Sequence, residues 1–272
     1  MTDKSGNSYT LSMCLLAFAF NCHPDAPLIV ISNRDEFYER PTLPMHWWTD
    51  SQILAGRDQQ AGGTWLGLKC NGRFAAVTNF REFHSNNISQ TKLLSRGKLV
   101  TDFLSSSDDV HQWTDSIAAR LSGYDGFNLL IYDGVSLLYL NNQGDQRLIL
   151  EPGVYALSNH ALDSPWPKVS HAREQLSQII VDRKIDAEAL PILLEALSLQ
   201  KIYPPHLLPN TGVPAEWESL LSSPFIIAEG YGTRASTAIV VSSNGEVHVA
   251  EQCFEAGQRR GFNQFNFKIL VD

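Results

Sequence analysis

Three Asx-Gly pairs, Asn71-Gly72, Asp133-Gly134 and Asn244-Gly245, each sit between two apolar runs, and this recurrence constrains the fold more than any other feature of the chain. Such a pair suits a type I′ turn, in which both central residues take φ > 0, so each reads as the tip of an antiparallel hairpin. The expected strands are 64–69 with 73–79, 127–132 with 135–140, and 238–242 with 246–253. A further hairpin is expected from 14–21 and 28–32, whose connector holds Pro24 and Pro27. Apolar residues recur at helical spacing over 93–104 and 110–121, the latter ending before Gly123. Residues 168–181 and 186–199 are further helix candidates, although Pro191 interrupts the first half of the second, and 203–214 reads as a loop. Hairpins interleaved with helix pairs, without strict β-α-β alternation, predict an α+β fold of antiparallel sheets covered by helices.

A chain of 272 residues can bury one large core, so a single domain over 13–272 is expected, preceded by a polar tail, MTDKSGNSYTLS, over 1–12. The tail lacks the apolar centre of a secretory signal, and the net charge of −8 argues against nonspecific nucleic-acid binding. Apolar runs such as 13–20 are much shorter than the ~20 residues of a membrane span. Cys14, Cys22, Cys70 and Cys253 form no C-x-x-C pair and no zinc-ligand spacing, so they read as free thiols in a reducing cytoplasm, with no metal site. His23, His46, His84, His160 and His171 are scattered, as surface or structural histidines are.

Four motifs stand in order: MCLLAFAF from Met13, Asn33-Arg34-Asp35-Glu36, Gly62-Gly63-Thr64-Trp65-Leu66-Gly67 and Tyr231-Gly232-Thr233-Arg234. Together they resemble the NRDE-motif family, also called the transport and Golgi organisation family. That family in turn resembles the N-terminal-nucleophile hydrolases, particularly the cysteine branch of bile-salt hydrolases and penicillin V acylases. The resemblance implies an αββα sandwich, two antiparallel sheets between helix layers. It also implies that Cys14 is the nucleophile, its thiol attacking an amide while its own α-amine, with a pKa near ~8, takes the proton. Methionine removal behind Met13 would expose Cys14 in this way. The alternatives are that translation begins at Met13, that residues 1–12 are removed, or that Cys14 is not a nucleophile of this type.

The resemblance assigns further roles residue by residue. Asn79 matches a strand-end asparagine that donates to the oxyanion, and Asn159 matches one that orients substrate. Arg234 matches a late arginine that polarises the thiol. The family's arginine falls on Arg34, with Asp35 as its companion and Asn33 and Glu36 as neighbours. On a strand, Asn33 and Asp35 face one way and Arg34 and Glu36 the other, so a one-residue shift reverses which pair meets Cys14. Trp65 and His160 are candidate ligand contacts. The hydrolase reading needs no cofactor and takes a small-molecule amide. The family also implies a second reading, non-catalytic binding and transfer of haem or acyl-coenzyme A, with haem as cargo and an arginine meeting a propionate or phosphate.

Structural readings stand beside these. A cysteine in an apolar strand is commonly a small core residue. Gly62-Gly63 reads as a tight turn entering a strand, with Trp65 as core or wall, and Asp35-Glu36 as part of a salt-bridge network. Trp47-Trp48 and residues 203–209 line an apolar cleft or anchor loops on the core.

Overall fold

A computed structural model describes residues 13–81, 94–181 and 183–270; the stretch 1–12 and His84 lie outside the described residues. Two antiparallel sheets face each other. The first contains β1 (Met13–His23), β2 (Ala26–Phe37), β10 (Gly153–Leu157), β11 (Tyr231–Val241), β12 (Glu246–Glu255) and β13 (Gln258–Lys268), in the order β10-β1-β2-β11-β12-β13. The second runs in sequence order through β3 (Thr42–Trp48), β4 (Ile53–Asp58), β5 (Leu66–Lys69), β6 (Phe74–Asn79), β7 (Phe127–Tyr132), β8 (Leu137–Asn141) and β9 (Gln146–Ile149).

Strand periodicity sorts the side chains into layers. Leu16, Phe18, Phe20, Leu28 and Val30 point inward and pack against Leu54, Leu68, Phe74, Leu130 and Tyr139 of the second sheet. Their neighbours Leu15, Ala17, Ala19, Ile29 and Ile31 point outward to α3 (Pro167–Val181) and α4 (Leu190–Glu195). On the far side, α1 (Gly97–Ser105) and α2 (Val110–Ile117) cover Ala75, Val77, Leu129 and Ile131. The result is the expected α+β sandwich in four layers, helix, sheet, sheet, helix. Among the described residues no helix is long and apolar enough to cross a membrane.

Each expected hairpin forms, but the turns differ from type I′. Gly72, Gly134 and Gly245 take positive φ while their preceding Asx residues do not. The Asx side chain instead accepts from a backbone N–H two residues on, as in Asn244 Oδ1 with Glu246 N (2.9 Å) and Asp133 Oδ1 with Val135 N (3.0 Å). The expected helix over 186–199 is shorter: a 3₁₀ turn at Ala187–Ala189 leads into α4, with Pro191 in its first turn, where a missing N–H costs little. The loop around 203–214 holds one 3₁₀ turn, Pro205–Leu207, and α5 (Ala215–Leu220) follows it. Trp47 and Trp48 point to opposite faces, packing on Phe267 and on the α1/α2 side respectively, and so act as anchors.

Phe18 is fully buried between the sheets, stacked on Tyr155 at 5.5 Å. Phe18→Ala is expected to lower unfolding free energy by about 3–5 kcal/mol, read from the midpoint of a urea titration. A loss below about 1 kcal/mol would contradict this packing.

Candidate functional site

The site begins with a register. Across β1 and β2, Cys14 pairs with Arg34, Met13 with Asp35 and Leu15 with Asn33. Cys14 belongs to the inter-sheet layer, so Arg34 and Glu36 share its face. Asn33 and Asp35 turn to the opposite, helix-covered face, which settles the ambiguity of the motif. Asn33 is wholly structural in its contacts: its Nδ2 donates to the carbonyls of Leu197 (3.0 Å) and Pro224 (2.9 Å), and its Oδ1 accepts from Ser236 Oγ (2.6 Å).

Cys14, Arg34 and Asn79 line one cavity of about 230 Å³ at the end of the sandwich, with Trp65, Arg40, Asp58, Arg96, Gly97 and Asp125 in its walls. The thiol comes from the first sheet and the asparagine from the second. A buried polar bridge fastens them: Ser158 Oγ donates to the Cys14 carbonyl (2.9 Å), and Asn159 Nδ2 donates to the Asn79 carbonyl (3.0 Å). Thr78 Oγ1 donates to the Ser158 carbonyl (2.6 Å), and Asn128 Nδ2 to that of His160 (3.0 Å). Asn159 is therefore a brace for Asn79 and does not line the cavity. His160 also lies off it, packed between Phe80 and Trp166 at ring distances of 5.0 and 5.5 Å.

Arg34 is almost completely buried and lies over the Trp65 ring at 4.3 Å. One nitrogen approaches Glu36 at 3.7 Å, and Glu36 in turn meets Arg40 (3.5 Å), which pairs with Asp58 (2.8 Å). This is the salt-bridge network expected of the motif, built from Glu36 and not from Asp35. Burial pushes the Cys14 thiol up to about 12, and the nearby Arg34 guanidinium is the largest influence holding it down.

Arg34 thus holds the place beside the thiol that was expected of Arg234. Arg234 sits at a bulge between Thr233 and Ala235, and its Nη1 donates to the carbonyls of Phe37 (2.9 Å), Tyr38 (3.2 Å) and Arg40 (3.3 Å). It shapes the corner after β2 and does not line the Cys14 cavity.

The far wall was not legible as a motif. Arg96, just before α1, donates through Nη1 to the Gly126 carbonyl (3.1 Å). Gly62 makes the expected turn with a φ of +78°. Gly63 has a second reason to be glycine, since a Cβ there would lie 2.6 Å from the Gly97 backbone carbon. That close approach brings the start of α1 to the cavity rim.

Behind the sheet, Asp35 and Lys168 of α3 are both buried and influence each other electrostatically. Asp35 also accepts from Thr233 Oγ1 (2.6 Å). Burial raises Asp35 from 3.8 to about 6 and lowers Lys168 from 10.5 to about 8. The folded state therefore binds the Asp35 proton more tightly than the unfolded chain, and the Lys168 proton less tightly. Relative to an Asp35→Asn/Lys168→Met variant, stability should fall as pH rises from about 4 to 6, stay level to about 8, then rise toward about 10.5. Urea titrations across that range check it, and a difference independent of pH would contradict the burial of this pair.

The chain is 32% identical to a Transport and Golgi organization protein 2 homolog of Bos taurus over 263 residues, covering 88% of this chain and 92% of that protein. The Homo sapiens homolog is 31% identical over 267 residues, with the same coverage. A mutant conjugated bile acid hydrolase from Clostridium perfringens is similar in structure with a TM-score of 0.47 and 9% identity, over 96% of this chain and 98% of that one. At that score the fold assignment rests on the two sheets themselves. The Transport and Golgi organisation 2 family model matches residues 13–256, and the chain belongs to that family.

Proposed function

We propose that the protein is an amidohydrolase of the cysteine N-terminal-nucleophile type, cleaving a small amide C–N bond through a Cys14 acyl-enzyme. The observation that supports it is the meeting of Cys14 and Asn79, from opposite sheets, in one cavity. A thiol whose burial disfavours the thiolate needs a built-in proton acceptor. The α-amine of a chain headed by Cys14, with an ordinary pKa near ~8, is suited to that task. It takes the thiol proton as Sγ adds to the carbonyl carbon, and the Asn79 amide donates to the resulting oxyanion. The proton passes to the leaving nitrogen as the C–N bond breaks. Water then adds to the thioester with the amine again as base, releasing the acid and restoring the thiol. In this scheme Arg34 lies beside the thiol, while Asn159 positions Asn79 through its carbonyl.

A second reading, binding and transfer of haem or an acyl-coenzyme A without turnover, is favoured by Met13. Its side chain is buried among Val213, Leu221, Ile226 and Tyr231, and a chain that keeps Met13 carries an acylated Cys14 nitrogen. Such a nitrogen is no base. The relatives are named for transport and Golgi organisation.

Intact mass with N-terminal sequencing of protein from its native host, followed by incubation with a series of N-acyl p-nitroanilides, separates the two. A chain headed by Cys14 is expected to gain one acyl mass and release nitroaniline, and Cys14→Ala is expected to do neither while remaining folded. Unchanged turnover in that variant, or no acylation of a chain headed by Cys14, would contradict the hydrolase reading.

A further inference from the structure

Freeing the Cys14 nitrogen removes Met13, and with it the occupant of a slot in the core. Met13 is 2% exposed and packs among Val213, Leu221, Ile226 and Tyr231. It is the strand partner of Asp35, so its side chain lies on the helix-covered face, opposite to the Cys14 thiol. Asp35, at the edge of the slot, accepts from Thr233 Oγ1 (2.6 Å), and the rest of the lining is apolar.

The walls of the slot are held by contacts that do not involve Met13. Glu218 accepts from the Thr211 N–H (2.9 Å) and Oγ1 (2.6 Å) and meets Arg81 at 3.2 Å, which fixes the segment carrying Val213 and Leu221. Ile226 N donates to Thr233 Oγ1 (2.9 Å), and Thr233 N donates to the Ile226 carbonyl (2.9 Å). Tyr231 is wedged between Phe37 and Trp217 at ring distances of 5.1 and 5.7 Å. An apolar space whose walls do not collapse stays dry and takes an apolar group of matching shape. Because the backbone of residue 13 joins the Cys14 nitrogen to this slot, its loss also opens the way in. A leaving nitrogen receives its proton from the Cys14 amine at a separation of about 3 Å. By ordinary peptide dimensions the Met13 Cα stands about 2.4 Å from that same amine nitrogen. The leaving nitrogen thus takes nearly the place of the Met13 Cα, and its substituent follows the path of the methionine side chain.

We propose that the space vacated by Met13 is the subsite for the leaving-group side of the substrate, taking an unbranched apolar chain of about four heavy atoms, the reach of a methionine side chain. Resting on the amidohydrolase reading, this names the substrate class: a secondary amide whose amine half is a linear alkyl or thioether chain. An amine branched at its first carbon is wider than the methionine stem these walls enclose, and is excluded.

NMR titration of a chain that begins at residue 14 and carries Cys14→Ala, which keeps the α-amine and lacks the nucleophile, tests it with N-methyl-, N-butyl- and N-tert-butylacetamide. The butyl amide is expected to bind about 50-fold more tightly than the methyl amide, as burial of three further methylene groups requires. The tert-butyl amide should bind no more tightly than the methyl one. A chain that retains Met13 should show no such preference, because its slot is filled. If the shortened chain fails to fold, the full chain with Met13→Gly decides. Ethyl methyl sulfide, the equivalent of a methionine side chain, should raise the melting midpoint of that variant and not of the unsubstituted chain, and no rise would overturn the slot. Equal affinity for the methyl and butyl amides, or the same preference in a chain that retains Met13, would also overturn it. A butyl preference without turnover of any amide by a chain headed by Cys14 would remove the hydrolase reading and keep the slot. Turnover in which methyl and butyl amides are cleaved alike would do the reverse.

Discussion

The Ser158-Asn159 bridge is the interaction on which the site depends. Two sheets packed through aliphatic and aromatic side chains are held by forces with little direction, and such contacts leave their relative slide loosely specified. The bridge supplies the direction. Its hydrogen bonds run from the end of β10 to the Cys14 carbonyl on one sheet and to the Asn79 carbonyl on the other. Asn128 extends it, accepting from Tyr139 Oη (2.7 Å) and Asn141 Nδ2 (2.8 Å) while donating to Thr78 Oγ1 (3.0 Å). A buried network in which each group is satisfied resists sliding, since any shift strands several donors at once.

The same geometry gives the NRDE motif two jobs on two faces. Arg34 and Glu36 line and brace the inter-sheet cavity. Asn33 and Asp35 tie β2 to β11 and to the helical layer, through Ser236 and Thr233. Four consecutive polar residues in a buried strand are costly unless partners wait on both sides. Here Asn33 is held on both of its polar atoms, Asp35 accepts from Thr233, and Glu36 meets Arg34 and Arg40, which offsets much of the cost of a polar run in a core sheet.

Much of the fold was legible because it rests on local signals. Glycine punctuation found three of the hairpins, and apolar spacing found α3 to within a residue and the start of α2, whose last expected turn is 3₁₀ from Ala118 to Gly123. Strands β3, β4, β9, β10 and β13 escaped because their apolar alternation is weak or short; β9 is exposed along its whole length and β13 alternates between half-buried and exposed. The lining of the candidate cavity was legible where a residue belonged to a motif, as with Cys14, Arg34 and Asn79. It was not legible in Arg40 and Asp58, which meet through the β3–β4 pairing, or in Arg96, which stands at the start of α1 where Gly97 approaches Gly63. No spacing rule encodes a contact between a loop and a helix start more than thirty residues apart. The displacement of Arg234 from the Cys14 cavity has a similar cause, since it stands at a bulge that no spacing rule shows.

If Cys14 and Asn79 form one reacting pair, the acylation step should depend on the asparagine amide more than binding does. Single-turnover acylation of a chain headed by Cys14, compared with its Asn79→Ala variant, measures this directly. The expected result is an acylation rate about 10²–10³-fold lower with ligand affinity nearly unchanged. An acylation rate equal to that of the unsubstituted protein would contradict the pairing of the two sheets around a common reaction centre.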